Sequence, residues 1–150
     1  MKLKVKKQTL EEVAQEKHEE NVRRGKNAKR KGGNYERTIA KLFKNRFGLE
    51  LKRTPQSGGF AKDSTKADDF RGDITLVDDT KDLILHIECK NCKNWSLPKW
   101  LKQAQEDCPE GRKPVVVFHK DNSSEDYVCM SLEDFFDLVD DTKLTKERKL

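Results

Sequence analysis

The sequence Gly72-Asp73-Ile74-Thr75-Leu76-Val77 and, after a polar stretch at 78–82, the sequence Leu83-Ile84-Leu85-His86-Ile87-Glu88-Cys89-Lys90 decide the fold. Two apolar, β-branched runs around a short polar turn are typical of a β-hairpin. Because side chains alternate faces along a strand, every second residue of the later run shares a face. One face carries Ile84, His86, Glu88 and Lys90, and the other carries Leu83, Leu85, Ile87 and Cys89.

This hairpin places a carboxylate and an ammonium, Glu88 and Lys90, side by side, and Asp73 opens the neighbouring strand at the same edge. Two carboxylates that meet there offer the hard oxygen ligands that Mg2+ or Mn2+ prefers. A lysine beside such an ion can orient a water or stabilise charge during phosphodiester hydrolysis. The alternative is a surface hairpin with an ordinary Glu-Lys pair, which contributes at most ~1 kcal/mol when exposed.

Composition favours one domain with a polyanionic partner. The 150 residues include 32 basic and 27 acidic side chains, with a net charge of +5. An excess of basic residues favours nucleic acid as the partner, although a soluble basic protein without such a partner can have the same net charge. No apolar run approaches the ~20 residues that span a bilayer, and the first residues contain no apolar segment of a signal peptide. We therefore expect no membrane contact and a cytoplasmic location.

Four cysteines without a secretory signal indicate reduced thiols. Cys89 and Cys92 have the C-x-x-C spacing, but a zinc knuckle needs a second close pair. Cys108 and Cys129 are far apart in sequence and do not supply it. Buried thiols are the prediction, with structural zinc or redox chemistry as the alternative.

The N-terminal part is predicted to form two helices separated by a basic run. Thr9-Leu10-Glu11-Glu12 matches a capping box and predicts a helix from about residue 10 to residue 24. Gly32-Gly33-Asn34 is predicted to break the chain, with Asn34 capping a second helix that Gly48 ends. The basic run at 23–31 is either a solvated linker or an arm that contacts phosphates. Its candidate DNA-binding residues are Arg23, Arg24, Lys29, Arg30 and Lys31.

The later elements complete an α/β domain. A short strand at 49–53 ends at Arg53, strands are predicted near 115–118 and 127–130, and helices follow Ser96 and Ser131. The order predicts a mixed central sheet of about five strands flanked by helices, with at least one parallel pair. The predicted division is a basic helical extension over 1–30, a domain over 31–140 and a charged tail over 141–150.

These pieces resemble the PD-(D/E)XK nuclease superfamily, whose core is restriction-endonuclease-like, and within it the archaeal-type Holliday-junction resolvases and related phage endonucleases. The resemblance covers roughly residues 31 to 130. It rests on four segments, namely Lys31-Gly32-Gly33-Asn34-Tyr35-Glu36-Arg37, Arg53 with Ser57-Gly58-Gly59, Gly72-Asp73 and Glu88-Cys89-Lys90. One departure is Gly72, where the family has proline.

The resemblance implies a role for each matching residue. Glu36, Asp73 and Glu88 would be acidic catalytic residues and metal ligands, with the Cys89 carbonyl as a further ligand and Lys90 as the catalytic lysine. Lys31, Arg37, Arg53 and Ser57 would approach the DNA. Gln103 or Gln105 on the following helix would reach the site as in some relatives, although a solvated helix face is the simpler interpretation.

The leading hypothesis is a Mg2+-dependent endonuclease, with Mn2+ able to substitute, that acts as a homodimer on branched DNA such as a Holliday junction. The setting that the resemblance implies is the cytoplasm of a bacterium or of a phage-infected host. Another nuclease of the same fold, namely a nickase or a flap, fork or duplex endonuclease, is one alternative. A non-catalytic DNA-binding module is the other.

Overall fold

A computed structural model describes residues 9–54, 72–78 and 83–140, which form three helices and one five-stranded sheet. In chain order the elements are α1 (Leu10–Phe47), β1 (Leu51–Arg53), β2 (Ile74–Leu76), β3 (Leu85–Cys92), α2 (Leu97–Asp107), β4 (Lys113–Lys120), β5 (Asp126–Cys129) and α3 (Leu132–Asp140). The strands lie in the order β1-β2-β3-β4-β5. The predicted α/β class and mixed sheet are confirmed.

The predicted hairpin is formed by β2 and β3, the second and third strands of this sheet. β2 pairs antiparallel with β3 at Ile74 and Ile87, while β1 pairs antiparallel with β2. β3 then runs parallel to β4 through the α2 crossover, and β5 returns antiparallel to β4. The parallel pair is therefore the one that the strand-helix-strand order predicts. The turn residues 79–82 lie outside the described residues.

The two faces of β3 enter two separate cores, as its alternation predicts. Ile87 and Cys89 pack with Tyr35 and Ile39 of α1. The opposite face of the sheet packs against α2, where the side chains of Val116 and Phe118 meet Trp100 and Ala104. Glu88 is on this second face, because it is one residue away from Ile87 and Cys89 on the strand.

The predicted break at Gly32-Gly33-Asn34 is wrong, because α1 is one continuous helix of 38 residues. Both predicted ends are correct: Thr9 forms the capping box with Glu12, and Gly48 ends the helix at a φ of 69°. A glycine inside a helix costs about 1 kcal/mol relative to alanine, which tertiary packing can offset. Tyr35 and Ile39 are buried immediately after the glycines and anchor the helix to the sheet. Asn34 therefore lies within the helix instead of capping it.

Residues 10–30 of α1 extend away from these cores, and every one of them is exposed. The helix reaches the domain at Lys31, which forms an ion pair with Asp121 beside β4. Tyr35 then donates a hydrogen bond of 2.9 Å from its hydroxyl to Asp126 of β5. No described helix is long and apolar enough to cross a membrane.

Candidate active site

Glu88 is a buried carboxylate at the centre of the candidate site. It is 4% exposed on β3, and the Lys90 Nζ donates a hydrogen bond of 3.2 Å to its Oε2. The other carboxylate oxygen lies 3.9 Å from Nε2 of His86, whose side chain is completely buried. The i, i+2 spacing on one strand brings these three side chains to the same face. Glu88 is thus held between two nitrogen-bearing side chains.

Asp73 is fixed beside Glu88 by backbone contacts at the start of β2. Its Oδ2 accepts a hydrogen bond of 2.8 Å from the Cys89 amide. Its own amide donates to the carbonyl of Ile87 at 3.0 Å, and its carbonyl accepts from the Thr54 amide at 2.9 Å. One hydrogen bond of the carboxylate and two of the backbone therefore hold Asp73 between β3 and the end of β1. The hairpin thus brings the two acids together at one edge, as the sequence predicts.

Gly72 makes this turn sterically feasible. Its φ is +84°, and a Cβ there would lie 3.1 Å from both the His86 ring and the Ile87 carbonyl. Proline holds φ near −65° and cannot adopt this conformation. The glycine therefore allows Asp73 to approach β3 through a left-handed turn.

The electrostatics of the pair suit a cation. Burial, and then the nearby Asp73 carboxylate, raise the pKa of Glu88 to about 7, while Lys90 acts in the opposite direction. A divalent ion between two such oxygens would relieve the like-charge repulsion. The donor set of Asp73, Glu88 and a backbone carbonyl therefore fits a hard cation such as Mg2+. Over the described ranges no cluster of three or more His, Cys, Asp or Glu side chains is arranged to hold an ion.

Glu36 lies on α1 at the border of the site and forms an ion pair with Arg53. Its carboxylate accepts a hydrogen bond from Nε of Arg53, and its side chain is 12% exposed. Burial raises the pKa of Glu36, Arg53 lowers it, and the charge of Asp73 raises it again. Glu36 is therefore close enough to Asp73 to sense its charge, while its ion pair is with Arg53. Its role as a metal ligand stays a prediction.

Gly33 makes room for Arg53. A Cβ at Gly33 would lie 3.3 to 3.5 Å from three guanidinium atoms of Arg53. Gly33 thus allows the Arg53 side chain of β1 to lie close to α1. This contact links two of the sequence segments that carry the resemblance.

Gln103 contacts a residue of the site, as the resemblance implies for Gln103 or Gln105. Lys90 Nζ donates a hydrogen bond of 3.2 Å to its Oε1 from across the groove between β3 and α2. Gln103 remains exposed, as a solvated helix face predicts, but that interpretation misses its contact with Lys90. Lys90 therefore uses two of its three N–H donors on protein oxygens and keeps one for a ligand.

The predicted DNA-binding residues fall into two regions. Arg23, Arg24, Lys29 and Arg30 are exposed on the part of α1 that leaves the domain, with Arg24 paired to Glu20 at 2.6 Å. Lys31 is committed to its ion pair with Asp121. Arg37 and Arg53 instead line an open groove between α1 and β1. The predicted residue Ser57 lies outside the described residues.

The groove contains basic residues that the sequence did not single out. Arg37 and Arg53 share it with Lys41, Lys44 and Lys52. Lys44 is paired with Glu50. Lys41 and Lys52 make no ion pair within the described part of the chain. Their separation in sequence hides this grouping, because helix and strand come together only through tertiary packing.

The cysteines do not form a metal site. All four are free thiols. Cys89 packs in the core beneath α1, whereas Cys92 packs against the core on the α2 side. An odd spacing on a strand points the two sulfur atoms to opposite faces. The alternative of structural zinc on this pair is therefore wrong.

Glu88→Gln is expected to stabilise the metal-free protein at alkaline pH. The raised pKa means that the folded state binds a proton between about pH 4.5 and about pH 7 that the unfolded state releases. The stabilisation is complete below this window and is lost as the pH rises through it, by about 3 kcal/mol. Urea unfolding in EDTA at pH 5 and pH 8 measures the effect. The wild type should lose stability over this interval by about that much more than Glu88→Gln.

Glu50→Gln is the matched control, because Glu50 is an exposed carboxylate paired with Lys44. It should follow the wild-type pH profile. A Glu88→Gln profile parallel to the wild type would show that Glu88 ionises normally.

Gly33→Ala is expected to impair cleavage, whereas Gly25→Ala is not. Nothing lies within 4 Å of a Cβ at Gly25, so alanine there should increase stability by up to about 1 kcal/mol. Alanine at Gly33 requires the Arg53 guanidinium to shift by a few tenths of an ångström, which should weaken its contact with Glu36. Helix content from circular dichroism and cleavage rates should be measured on both variants. Equal rates for the two would contradict a role for this close approach.

Comparison with known proteins gives one family match. A sequence model of the family described as "Phage putative PDDEXK endonuclease" matches residues 27–149, which is most of the chain. The match contains Glu36, Arg53, Asp73, Glu88 and Lys90. Neither the curated proteins nor the solved structures gave a match.

Proposed function

This chain belongs to the phage PD-(D/E)XK endonuclease family, and we propose that within it the protein is a Mg2+-dependent endonuclease that cuts branched DNA, with the Holliday junction as its leading substrate. The family supports an endonuclease activity, and its action on DNA with the help of a divalent metal ion is part of the proposal. The observation that carries the proposal is the buried Glu88 carboxylate, which accepts a hydrogen bond from Lys90 and lies close enough to Asp73 for the Asp73 charge to raise its pKa.

We assign the metal to Asp73, Glu88 and the Cys89 carbonyl, with Glu36 as an outer acidic residue. The Cys89 thiol is excluded as the donor because it packs in the core. A bound divalent cation supplies Lewis-acid charge to the phosphoryl oxygen and lowers the pKa of a water. Mn2+ is expected to substitute, since it accepts the same hard oxygen ligands.

We assign to Lys90 the role of holding the attacking water or a phosphate oxygen. Its contacts with Glu88 and Gln103 fix the ammonium and leave one N–H for that task. The water oxygen forms a new bond to phosphorus as the bridging P–O bond breaks. One end then carries a phosphomonoester and the other a hydroxyl.

Two basic regions of the protein are assigned to bind the DNA backbone. Arg37 and Arg53 lie next to Glu36 and would hold phosphates near the cut, together with Lys41 and Lys52 of the same groove. Arg23, Lys29 and Arg30 on the exposed part of α1 would contact phosphates farther away. Each phosphate that a cation neutralises releases counterions, so binding should weaken steeply with salt.

A cleavage panel tests this function. Purified protein is incubated with Mg2+, Mn2+ or EDTA and a four-way junction, a fork, a flap, a nicked duplex, plain duplex or single strand. The expected result is cleavage that EDTA abolishes and that is fastest on the junction. If cleavage is fastest on another substrate, the protein is instead a nuclease specific for that substrate.

Salt-dependent binding without cleavage of any substrate would instead indicate a DNA-binding module. Light scattering tests the homodimer that two symmetric cuts require. A monomer with and without DNA would contradict junction resolution by paired cuts.

A further inference from the structure

Three aromatic side chains form a partly exposed cluster near the C-terminal end of β3. Trp95 packs edge-on against Phe118 with ring centroids 5.0 Å apart, and against Tyr127 at 5.5 Å. Phe118 and Tyr127 stack at 5.5 Å with an interplanar angle of 23°. Phe118 is buried, but Trp95 is 43% exposed and Tyr127 is 36% exposed. Much of the two outer rings therefore faces solvent.

The cluster lies on the same face of the sheet as Lys90. Lys90 is the register partner of Phe118 across the parallel pair, and Phe118 is the partner of Tyr127 across the antiparallel pair. Paired residues of adjacent strands point to the same face, and adjacent strands are about 4.8 Å apart. Lys90, Phe118 and Tyr127 thus form one row that leads from the candidate active site to the exposed rings.

Two lysines lie on the Trp95 side of the cluster, while the Tyr127 hydroxyl donates a hydrogen bond of 2.8 Å to Glu125. The Lys120 Nζ lies 5.7 Å from the centroid of the Trp95 ring. Lys120 makes no ion pair with any residue in the described ranges, and neither does Lys93, two positions before Trp95. Stacking rings with free lysines beside them are the combination that single-stranded nucleic acid requires, because each nucleotide presents one flat base and one phosphate.

We propose that Trp95 and Tyr127 are a stacking platform for an unpaired base of the DNA bound in the active site. The inference rests on the proposed function, because the platform would bind a base of the DNA strand whose phosphodiester lies at Lys90. Lys120 would bind the phosphate of the same nucleotide. A base within a duplex is already stacked on both sides and cannot reach the rings, whereas a base at a branch point or in a single-stranded arm can. The platform would therefore select branched over plain duplex DNA.

Binding in EDTA tests the platform without cleavage. Fluorescence anisotropy is measured with a labelled fork that carries single-stranded arms and with plain duplex of the same length. Trp95→Ala should weaken fork binding about tenfold, the loss expected for one stacked base, and change duplex binding less than twofold. Phe47→Ala is the matched control, because it removes an aromatic ring that is 64% exposed at the far end of α1. It should leave both affinities unchanged.

Fluorescence gives a second readout that does not depend on a truncated side chain. The chain has two tryptophans, and Trp100 is only 8% exposed. A thymidine oligonucleotide should quench the wild-type emission strongly and that of Trp95→Phe weakly. Trp95→Phe keeps a ring in the cluster and is expected to fold.

The outcomes separate the platform from the proposed function. Equal loss of fork and duplex binding in Trp95→Ala, or unchanged fork binding, overturns the platform, as does full quenching in Trp95→Phe. If the wild type cleaves DNA while these variants keep its fork preference, the platform alone fails. If the wild type cleaves nothing but Trp95→Ala loses fork binding selectively, the platform stands and the nuclease proposal fails.

Discussion

Asp73→Asn is expected to reduce metal-dependent DNA cleavage by at least about 10³-fold. Asparagine has the same shape and keeps an oxygen to accept the hydrogen bond from the Cys89 amide, so the turn at Gly72 should survive. The substitution removes one of the two negative charges that make the site attractive to a divalent ion. Cleavage rates should be measured at several Mg2+ concentrations, because a higher concentration should recover part of the loss.

The Asp73→Asn variant also makes a prediction about its neighbour. The Asp73 charge helps to raise the pKa of Glu88, so that pKa should fall in the variant. Asp137→Asn is the matched control, since Asp137 is paired with Lys113 on the far side of the domain. It should cleave like the wild type. Wild-type cleavage by Asp73→Asn, with unchanged Mg2+ dependence, would remove Asp73 from the site.

The hairpin and its acids could be predicted because the information is local. Alternation along 83–90 places Glu88 and Lys90 on one face, and the hairpin turn fixes which strand lies beside them. The result is confirmed by the register of Ile74 with Ile87 and by the contact between Lys90 and Glu88. Strand periodicity alone was therefore enough to predict the central part of the candidate site.

The interruption predicted in α1 shows where local information fails. Gly32 and Gly33 are poor helix formers, and Asn34 is a good N-cap, so the sequence there favours a break. The structure instead continues the helix, with Gly33 close to Arg53 of β1. The glycine is explained by a contact with a distant residue, which no sequence window around it contains.

The surroundings of the acids were hidden from the sequence for the same reason. The contact of Arg53 with Glu36 depends on how α1 packs on β1, and the contact of Gln103 with Lys90 depends on the α2 crossover. Trp95 packs on Phe118, which lies beside Lys90 only through the register of β3 with β4. Residue types could be assigned from the sequence, but their neighbours required the tertiary structure.

Lys90→Met is expected to reduce the cleavage rate by about 10²- to 10³-fold, the loss typical when one stabilising donor is removed from a transition state. Methionine retains most of the aliphatic length of lysine, so the change isolates the ammonium. The charge of Lys90 lowers the pKa of Glu88, and its removal should raise that pKa above about 7. More Glu88 is then protonated at neutral pH, so the variant should also need more Mg2+ and a higher pH for its residual activity.

This pH shift separates a role in the site from a purely structural one. Rates should be measured against pH at saturating Mg2+, with Lys99→Met on the exposed side of α2 as the matched control. Lys99→Met should follow the wild-type profile. A Lys90→Met enzyme that is slow but titrates like the wild type would mean that Lys90 does not control Glu88. No other described lysine contacts the Glu88 carboxylate and could replace Lys90. A Lys90→Met enzyme that cleaves at the wild-type rate would therefore exclude Lys90 from the chemistry.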